Sequence, residues 1–205
     1  LDELVDDPGY TDESAAVIAV LLCDAVMELH ECFDPPMIHR DLKPANVIIS
    51  SSNLTLIDLG IARTFDKDAA RDTRSFGTRG YAPPEQFGYG QTDERSDIYA
   101  LGMLIAYCFL REDPERRLVE SEFADERIPE SLRPTLARAT AFDPGRRYGS
   151  VRAMKDDQGV SAMLMEAHLV DGSDGAEGEV HIKNNAPDAP TTPPAPRSVG
   201  ESSAR

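Results

Sequence analysis

Apolar positions recur with a helical period in several segments, and the clearest lies near the start of the chain. Thr11 and Asp12 are residue types that favour the N-cap of a helix. Apolar side chains then follow at spacings of three and four residues, at Val17, Ile18, Leu21, Leu22, Ala25, Val26 and Leu29. This spacing puts them on one face of a helix. The pattern predicts a helix over residues 12–31.

Two short runs of strand-forming residues follow. Residues 47–49 read Val-Ile-Ile and residues 54–57 read Leu-Thr-Leu-Ile, with the polar turn Ser-Ser-Ser-Asn between them. This arrangement predicts a β-hairpin. Residues 58–91 are rich in glycine, proline and charge and have no sustained period. A loop of that length inside a domain is usually functional.

Further helices are predicted over residues 97–110 and 131–142, where Ser131 is the expected cap and Pro134 lies in the first turn, a position that tolerates proline. A weaker helix is predicted near residues 151–155 and is expected to resume toward residue 168. The pattern therefore predicts a mainly α domain of the α+β type over residues 1–155 and a candidate terminal helix over residues 156–170.

The composition changes after residue 171, first to glycine, serine and acidic residues and then to a proline-rich run. Such a segment buries too little apolar surface to offset the entropy of ordering it. We therefore predict that residues 171–205 form a disordered, acidic and then proline-rich tail.

Charge and cysteine content narrow the functional classes. The net charge of −16 argues against nucleic acid as a partner. There is no uncharged apolar run of 18 residues, so no membrane segment is predicted. Three scattered cysteines without a Cys-x-x-Cys pair fit a reducing compartment, and a cytoplasmic location is expected.

The strongest chemical signal is residues 38–46, which read Ile-His-Arg-Asp-Leu-Lys-Pro-Ala-Asn. The segment resembles the catalytic loop of protein kinases, His-Arg-Asp-Leu-x-x-x-Asn. Phosphoryl transfer needs a carboxylate near the attacking hydroxyl, a cation near the moving phosphoryl group and an oxygen ligand for Mg²⁺. The resemblance assigns these roles to Asp41, Lys43 and Asn46. Lys43 before Pro44 is similar to the serine/threonine-specific form of the loop.

A second motif lies twelve residues after Asn46, where residues 56–60 read Leu-Ile-Asp-Leu-Gly. The family has Asp-Phe-Gly here, and its aspartate binds Mg²⁺. The resemblance therefore implies ATP and Mg²⁺ as cofactors, with Asp58 and Asn46 as metal ligands and Lys43 beside the nucleotide. Leu59 replaces the usual phenylalanine and can serve as an apolar plug.

Residues 77–85 resemble the family's Gly-Thr-x-x-Tyr-x-Ala-Pro-Glu, so residues 58–85 would form the activation segment. The resemblance gives Thr78 a contact with the catalytic aspartate and Glu85 a buried ion pair with a distant arginine. The candidate partner is Arg147, in the closing motif Asp-Pro-Gly-Arg-Arg-Tyr of residues 143–148.

Residues 96–102 resemble the start of the buried central helix of the kinase large lobe. Asp97 would there accept backbone N–H groups of the catalytic loop, and a plain helix N-cap is the simpler interpretation of the same residue. His39 is expected to be a packed structural residue of the loop.

Arg40 precedes the catalytic aspartate, as in kinases that phosphorylation switches on. The resemblance implies that phosphate on the activation segment pairs with Arg40 and orders the loop. Thr64, Thr73 and Ser75 are available acceptors, and position favours Thr73 or Ser75. Autophosphorylation of this kind would make a homodimer a candidate partner arrangement.

The resemblance as a whole is to the C-terminal lobe of a eukaryotic-type serine/threonine kinase of bacterial style, acting on a protein substrate. The Gly-rich loop, strand lysine and helix glutamate of the small lobe are not among the 205 residues. A start on Leu1 instead of methionine favours a fragment of a longer kinase over a truncated product, and we expect this chain to be inactive alone. The alternative is a non-catalytic, pseudokinase-like scaffold, against which the intact Asp41, Lys43, Asn46 and Asp58 argue.

Overall fold

The computed structural model describes residues 1–50, 53–59, 63–64, 80–87, 91–166 and 180–182. The helices in this part are α1 (Asp2–Val5), α2 (Asp12–Glu31), α3 (Glu94–Leu110), α4 (Arg116–Glu120), α5 (Arg133–Ala139), α6 (Val151–Lys155) and α7 (Gln158–Glu166). The strands are β1 (Met37–Ile38), β2 (Val47–Ser50), β3 (Asn53–Leu56), β4 (Arg63–Thr64) and β5 (Val180–Ile182). Helices dominate, as predicted for a mainly α domain.

Helices α2 and α3 form the centre of the fold. The predicted span of α2 is confirmed, and its start is fixed by a capping box in which the N–H of Ser14 donates to Oγ1 of Thr11 at 3.3 Å. Helix α3 is buried on nearly all sides, as expected for a helix at the centre of a core. Its glycine, Gly102, permits close packing, since a Cβ there would lie 3.1 Å from the side chains of Ala139 and Thr140.

Helix α3 begins three residues before the predicted start. Asp93 is its N-cap and accepts the N–H of Arg95 at 2.8 Å, while the N–H of Asp93 donates to Oγ of Ser96 at 3.2 Å. Asp97 therefore lies inside the first turn, and the interpretation of Asp97 as the N-cap is wrong because Asp93 holds that position.

Helix α5 is shorter than the predicted 131–142. It begins at Arg133, with Leu132 at the N-cap position and Pro134 in the first turn as expected. The prediction that Ser131 caps this helix is wrong: its Oγ is buried without a hydrogen-bond partner. Helix α6 matches its predicted span, and the expected continuation is the separate helix α7.

Two small sheets accompany the helices in the described part of the chain. Strands β1 and β4 pair antiparallel, with Met37 opposite Thr64. The predicted hairpin is confirmed as β2 and β3, with Val47 opposite Leu56 and Ser50 opposite Asn53. Strand β5 adds to the other edge of β3 in parallel.

Strand β5 belongs to the segment 171–205, for which the sequence predicts disorder. The other residues of that segment lie outside the described residues, and the division into a domain and a tail stays a prediction. None of the helices described is both long and apolar enough to span a membrane.

Candidate active site

The loop between β1 and β2 brings a carboxylate and an ammonium group together. Nζ of Lys43 donates to Oδ2 of Asp41 at 2.6 Å. The side chains of Lys43 and Asp41 are 25% and 14% exposed, so the pair is partly open to solvent. Pro44–Asn46 forms a single turn of 3₁₀ helix that ends the loop and leads into β2.

Asn46 braces the same carboxylate from the other side. Its Nδ2 donates to the carbonyl of Asp41 at 2.8 Å and to Oδ2 of Asp41 at 3.2 Å. This arrangement fixes the orientation of the amide, because both neighbours of the nitrogen are acceptors. The amide oxygen Oδ1 is then the atom of Asn46 that can bind a cation.

Asp58 lies just beyond the hairpin, two residues after the end of β3. The N–H of Ile57 donates to the carbonyl of Asn46 at 3.0 Å, which closes the open end of the hairpin and ties the approach to Asp58 to Asn46. Asp58 is exposed and has a φ of +62°, a left-handed conformation that is uncommon outside glycine. The neighbouring Leu59 is buried, as expected of an apolar plug.

The backbone of the loop that carries Asp41 is hydrogen-bonded to a buried carboxylate. Oδ2 of Asp97 accepts the N–H of His39 at 2.7 Å, and its Oδ1 accepts the N–H of Arg40 at 2.9 Å. Nε2 of His30 lies 2.9 Å from Oδ2 of the same carboxylate. Asp97 thus joins helices α2 and α3 to the residue immediately before Asp41.

Burial acts on the ionisation of both acidic and basic groups here. Burial by itself would raise the pKa of Asp97, but the hydrogen bond from His30, the electrostatic interactions with His30 and His39 and the hydrogen bond from the N–H of Arg40 outweigh it and hold that pKa below its ordinary value. Burial lowers the pKa of His39, against the opposing pull of Asp97 and Asp41. Asp97 is therefore ionised and His39 neutral at pH 7.

Arg40 is hydrogen-bonded to Thr92 and Gln86 as well as to Asp97. Its backbone has a φ of +71°. Its Nε donates to Oγ1 of the buried Thr92 at 2.9 Å, and its Nη2 contacts the same oxygen. Nε2 of Gln86 donates to the carbonyl of Arg40 at 2.8 Å. The guanidinium is thereby directed toward the residues that precede α3.

The segment after residue 80 is anchored by a buried ion pair. Nη1 and Nη2 of Arg147 donate to Oε1 and Oε2 of Glu85 at 2.7 and 2.9 Å. Oγ of Ser96 donates to the same carboxylate at 2.8 Å. Arg147 also donates to the carbonyls of Ala141 and Arg95, at 2.7 and 2.9 Å. With the carbonyl of Phe142 at 3.3 Å from Nη2, all five N–H groups of the Arg147 guanidinium have an acceptor within the protein.

The chain matches the family model described as the protein kinase domain over residues 1–145. The chain belongs to the protein kinase family.

Bacterial serine/threonine kinases are among the relatives of this chain. The chain is 31% identical over 185 residues to the probable serine/threonine-protein kinase PknB of Corynebacterium glutamicum. This match covers 78% of the chain and 28% of that protein. It is 32% identical over 173 residues to the serine/threonine-protein kinase PknB of Mycobacterium leprae, covering 74% and 26%. A probable receptor-like protein kinase of Arabidopsis thaliana is 32% identical over 120 residues. The chain spans about a quarter of the length of these relatives.

Some residues predicted for the candidate site lie outside the described part of the chain. Other residues contact the site although no pattern in the sequence predicts it. Thr73, Ser75 and Thr78 lie outside the described residues. His30 and Thr92 were not predicted to contact the site. Each is far in sequence from the group it contacts, His30 67 residues from Asp97 and Thr92 52 residues from Arg40, and neither contact has a short-range pattern.

Proposed function

We propose that this chain supplies the catalytic loop of a serine/threonine protein kinase that transfers the γ-phosphoryl group of ATP to a protein hydroxyl. The observation that carries the proposal is the Asp41–Lys43 pair, whose Nζ–Oδ2 distance is 2.6 Å and whose side chains are partly exposed to solvent. The buried carboxylate of Asp97 binds the backbone of the same loop. A rigid loop with an accessible carboxylate suits chemistry that depends on positioning.

Asp41 accepts the proton of the substrate hydroxyl in this proposal. The hydroxyl oxygen forms the new bond to the γ-phosphorus, the bond from that phosphorus to the β–γ bridging oxygen breaks, and ADP leaves with the bonding electrons. Lys43 places its positive charge beside the transferred group. The hydrogen bonds from Lys43 and Asn46 orient the carboxylate before substrate arrives.

The donor set fits a magnesium ion. Mg²⁺ favours one or two carboxyl-type oxygen ligands together with phosphate oxygens and water. Asp58 offers a carboxylate, and Asn46 offers Oδ1 because Asp41 occupies its nitrogen. When bound with ATP, the ion would neutralise charge on the phosphates. The chain holds both ligands at one end of the β2–β3 hairpin.

Regulation would act through Arg40. We propose that phosphate on Thr73 or Ser75 pairs with its guanidinium, that Thr78 contacts Asp41, and that phosphorylation occurs between two copies of the kinase. The existing contact between Arg40 and Thr92 shows that a hydroxyl oxygen already reaches this guanidinium. Mass spectrometry of an active preparation should find phosphate on Thr73 or Ser75, and a clean negative would remove the claim.

We further propose that residues 1–155 act as a large lobe and that the 205-residue chain by itself has negligible phosphotransfer. The groups that the family uses on the α- and β-phosphates from the small lobe are not among its residues. An assay of the isolated chain with radiolabelled ATP should show no turnover. Turnover that Asp41→Asn abolishes would overturn this.

The catalytic proposal itself is tested by supplying the missing groups. The chain would be fused behind the small lobe of the Corynebacterium glutamicum relative and assayed with radiolabelled ATP and a protein substrate. Labelling of serine or threonine is expected, and Asp41→Asn should reduce it by about 10²–10⁴-fold. The exposed Glu126→Gln is the matched control and should keep activity. An active fusion that Asp41→Asn leaves unchanged would refute the role of Asp41.

A further inference from the structure

The β2–β3 hairpin has one edge that its two strands do not use. In the register of this hairpin, Leu56 lies opposite Val47 and Leu54 opposite Ile49. The bond from the N–H of Ile57 to the carbonyl of Asn46 identifies that pair as hydrogen-bonded. Bonded and non-bonded pairs alternate along an antiparallel ladder. Leu54 and Leu56 therefore direct their N–H and C=O groups away from β2.

That outward edge is where β5 lies. Val180 is in register with Leu54 and Ile182 with Leu56, in a parallel pair. Where two strands pair in parallel, one residue of the first strand bonds to two residues of the second strand that lie two positions apart. His181 is that residue. Its N–H faces the C=O of Leu54, and its C=O faces the N–H of Leu56.

The sequence of the tail explains why these three residues take this place. Residues 171–205 are mostly Gly, Asp, Glu, Ser, Ala and Pro, which are poor or neutral strand formers. Val180 and Ile182 form the one alternating β-branched pair in that segment. The thirteen residues from 167 to 179, which join α7 to β5, can reach about 45 Å when extended. A tether of this length keeps the strand at a high effective concentration near its edge.

We propose that the outer edge of β3 is a docking site for the chain's own tail, occupied by Val180–Ile182 through strand addition. The site recognises an extended backbone. It lies on the hairpin whose open end carries Asn46 and Asp58, so the tail is held against the part of the lobe that bears the proposed metal ligands. Docking does not depend on the proposed kinase activity.

Amide hydrogen exchange by NMR on the ¹⁵N-labelled 205-residue chain tests the docking residue by residue. His181→Pro removes the central N–H donor of β5. Exchange at Leu56, whose N–H faces the C=O of His181, should become about ten-fold faster in this variant, because its bond to β5 is lost. Thr55, whose N–H faces β2, should change much less. The matched control His181→Ala keeps the backbone donor and should retain the slow exchange.

Three results would overturn the proposal. The first is equal exchange at Leu56 in the unaltered chain and in His181→Pro. The second is a uniform acceleration that includes Thr55 and the buried Leu104 of α3, since this would mean general destabilisation. The third is protection that weakens on ten-fold dilution, because it would assign the added strand to a second copy. A chain ending at residue 170 should reproduce the His181→Pro result, which guards against an effect peculiar to proline.

Discussion

The Asp41–Lys43 pair and the Glu85–Arg147 pair have similar contact lengths but opposite surroundings. Their shortest N–O distances are 2.6 and 2.7 Å. Arg147 and Glu85 are 0% and 4% exposed in their side chains, whereas Lys43 and Asp41 are 25% and 14% exposed. The buried pair uses its hydrogen-bonding capacity within the protein, while the open pair retains access to solvent.

This difference in burial predicts different costs when one partner of each pair is removed. A saturated, buried pair contributes little net stability as a pair, but removal of one partner leaves an uncompensated charge in the interior. A partly exposed pair can lose a partner at small cost, because water replaces the missing contact. The buried pair is therefore suited to a structural role, and the partly exposed pair to the catalytic role proposed for Asp41.

The largest effect should come from breaking the buried pair. Arg147→Met leaves Glu85 buried without its partner and should lower the free energy of unfolding by about 3–5 kcal/mol. The matched control is Arg146→Met at the exposed neighbouring residue, which should change it by less than about 0.5 kcal/mol. Denaturant unfolding measures both. Equal losses in the two variants would remove the distinction between the pairs.

The next largest effect should come from Asp97, whose carboxylate binds the backbone of the loop that carries Asp41. Asp97→Asn replaces an acceptor with an amide that cannot accept all three of its contacts, from His30, His39 and Arg40. The expected loss at pH 7 is about 2–3 kcal/mol. Denaturant unfolding at several pH values provides the measurement.

The same variant makes a prediction about pH. The folded pKa of Asp97 lies below the ordinary value of 3.8, so its carboxylate stabilises the fold fully above about pH 5, and this contribution is lost as pH falls through the folded pKa. The stability gap between the unaltered chain and Asp97→Asn should therefore narrow below pH 3.8. Asp156→Asn, at an exposed position, is the control. A gap of the same size at pH 3 and pH 7 would contradict the assignment.

A smaller loss should come from a contact that supports the buried pair. Ser96→Ala removes the donor to Glu85, 2.8 Å away, and an acceptor in the cap of α3. We expect a loss of about 1–2 kcal/mol by denaturant unfolding, with the exposed Ser161→Ala near zero. In a double-mutant cycle with Arg147→Met the two losses should not add, because both act on Glu85. Strict additivity would show that Ser96 works only through the helix cap.

The sequence predicted the elements that depend on local signals. The cap at Thr11 and the apolar period fixed α2, and the polar turn fixed the hairpin. The start of α3 was missed because Asp93 and Ser96 form a cap upstream of the apolar run. Strand β5 was missed because three residues in a polar tail gain a strand conformation only from the edge of β3.

The candidate site divides in the same way. Asp41, Lys43 and Asn46 lie within six residues, so a motif can carry them, and resemblance to a family extended the set to Asp97 and Arg147. His30 could not be found, because its role arises only when α2 packs beside α3 and brings it to Asp97. Contacts created by packing between distant segments have no local signature in a single sequence.

The smallest effect on stability should come from the partly exposed pair of Asp41 and Lys43. It is the most direct test of the difference between the two ion pairs. Asp41→Asn and Lys43→Ala should each change the free energy of unfolding by at most about 1 kcal/mol, because the pair is partly exposed. A double-mutant cycle in denaturant should give a small coupling energy that shrinks further between about 0.1 and 1 M salt, as the Debye length falls from about 10 to 3 Å. The cost of Arg147→Met should be insensitive to the same salt. A loss of several kcal/mol from Asp41→Asn would mean that this carboxylate stabilises the fold, and this would contradict the contrast drawn with the buried pair.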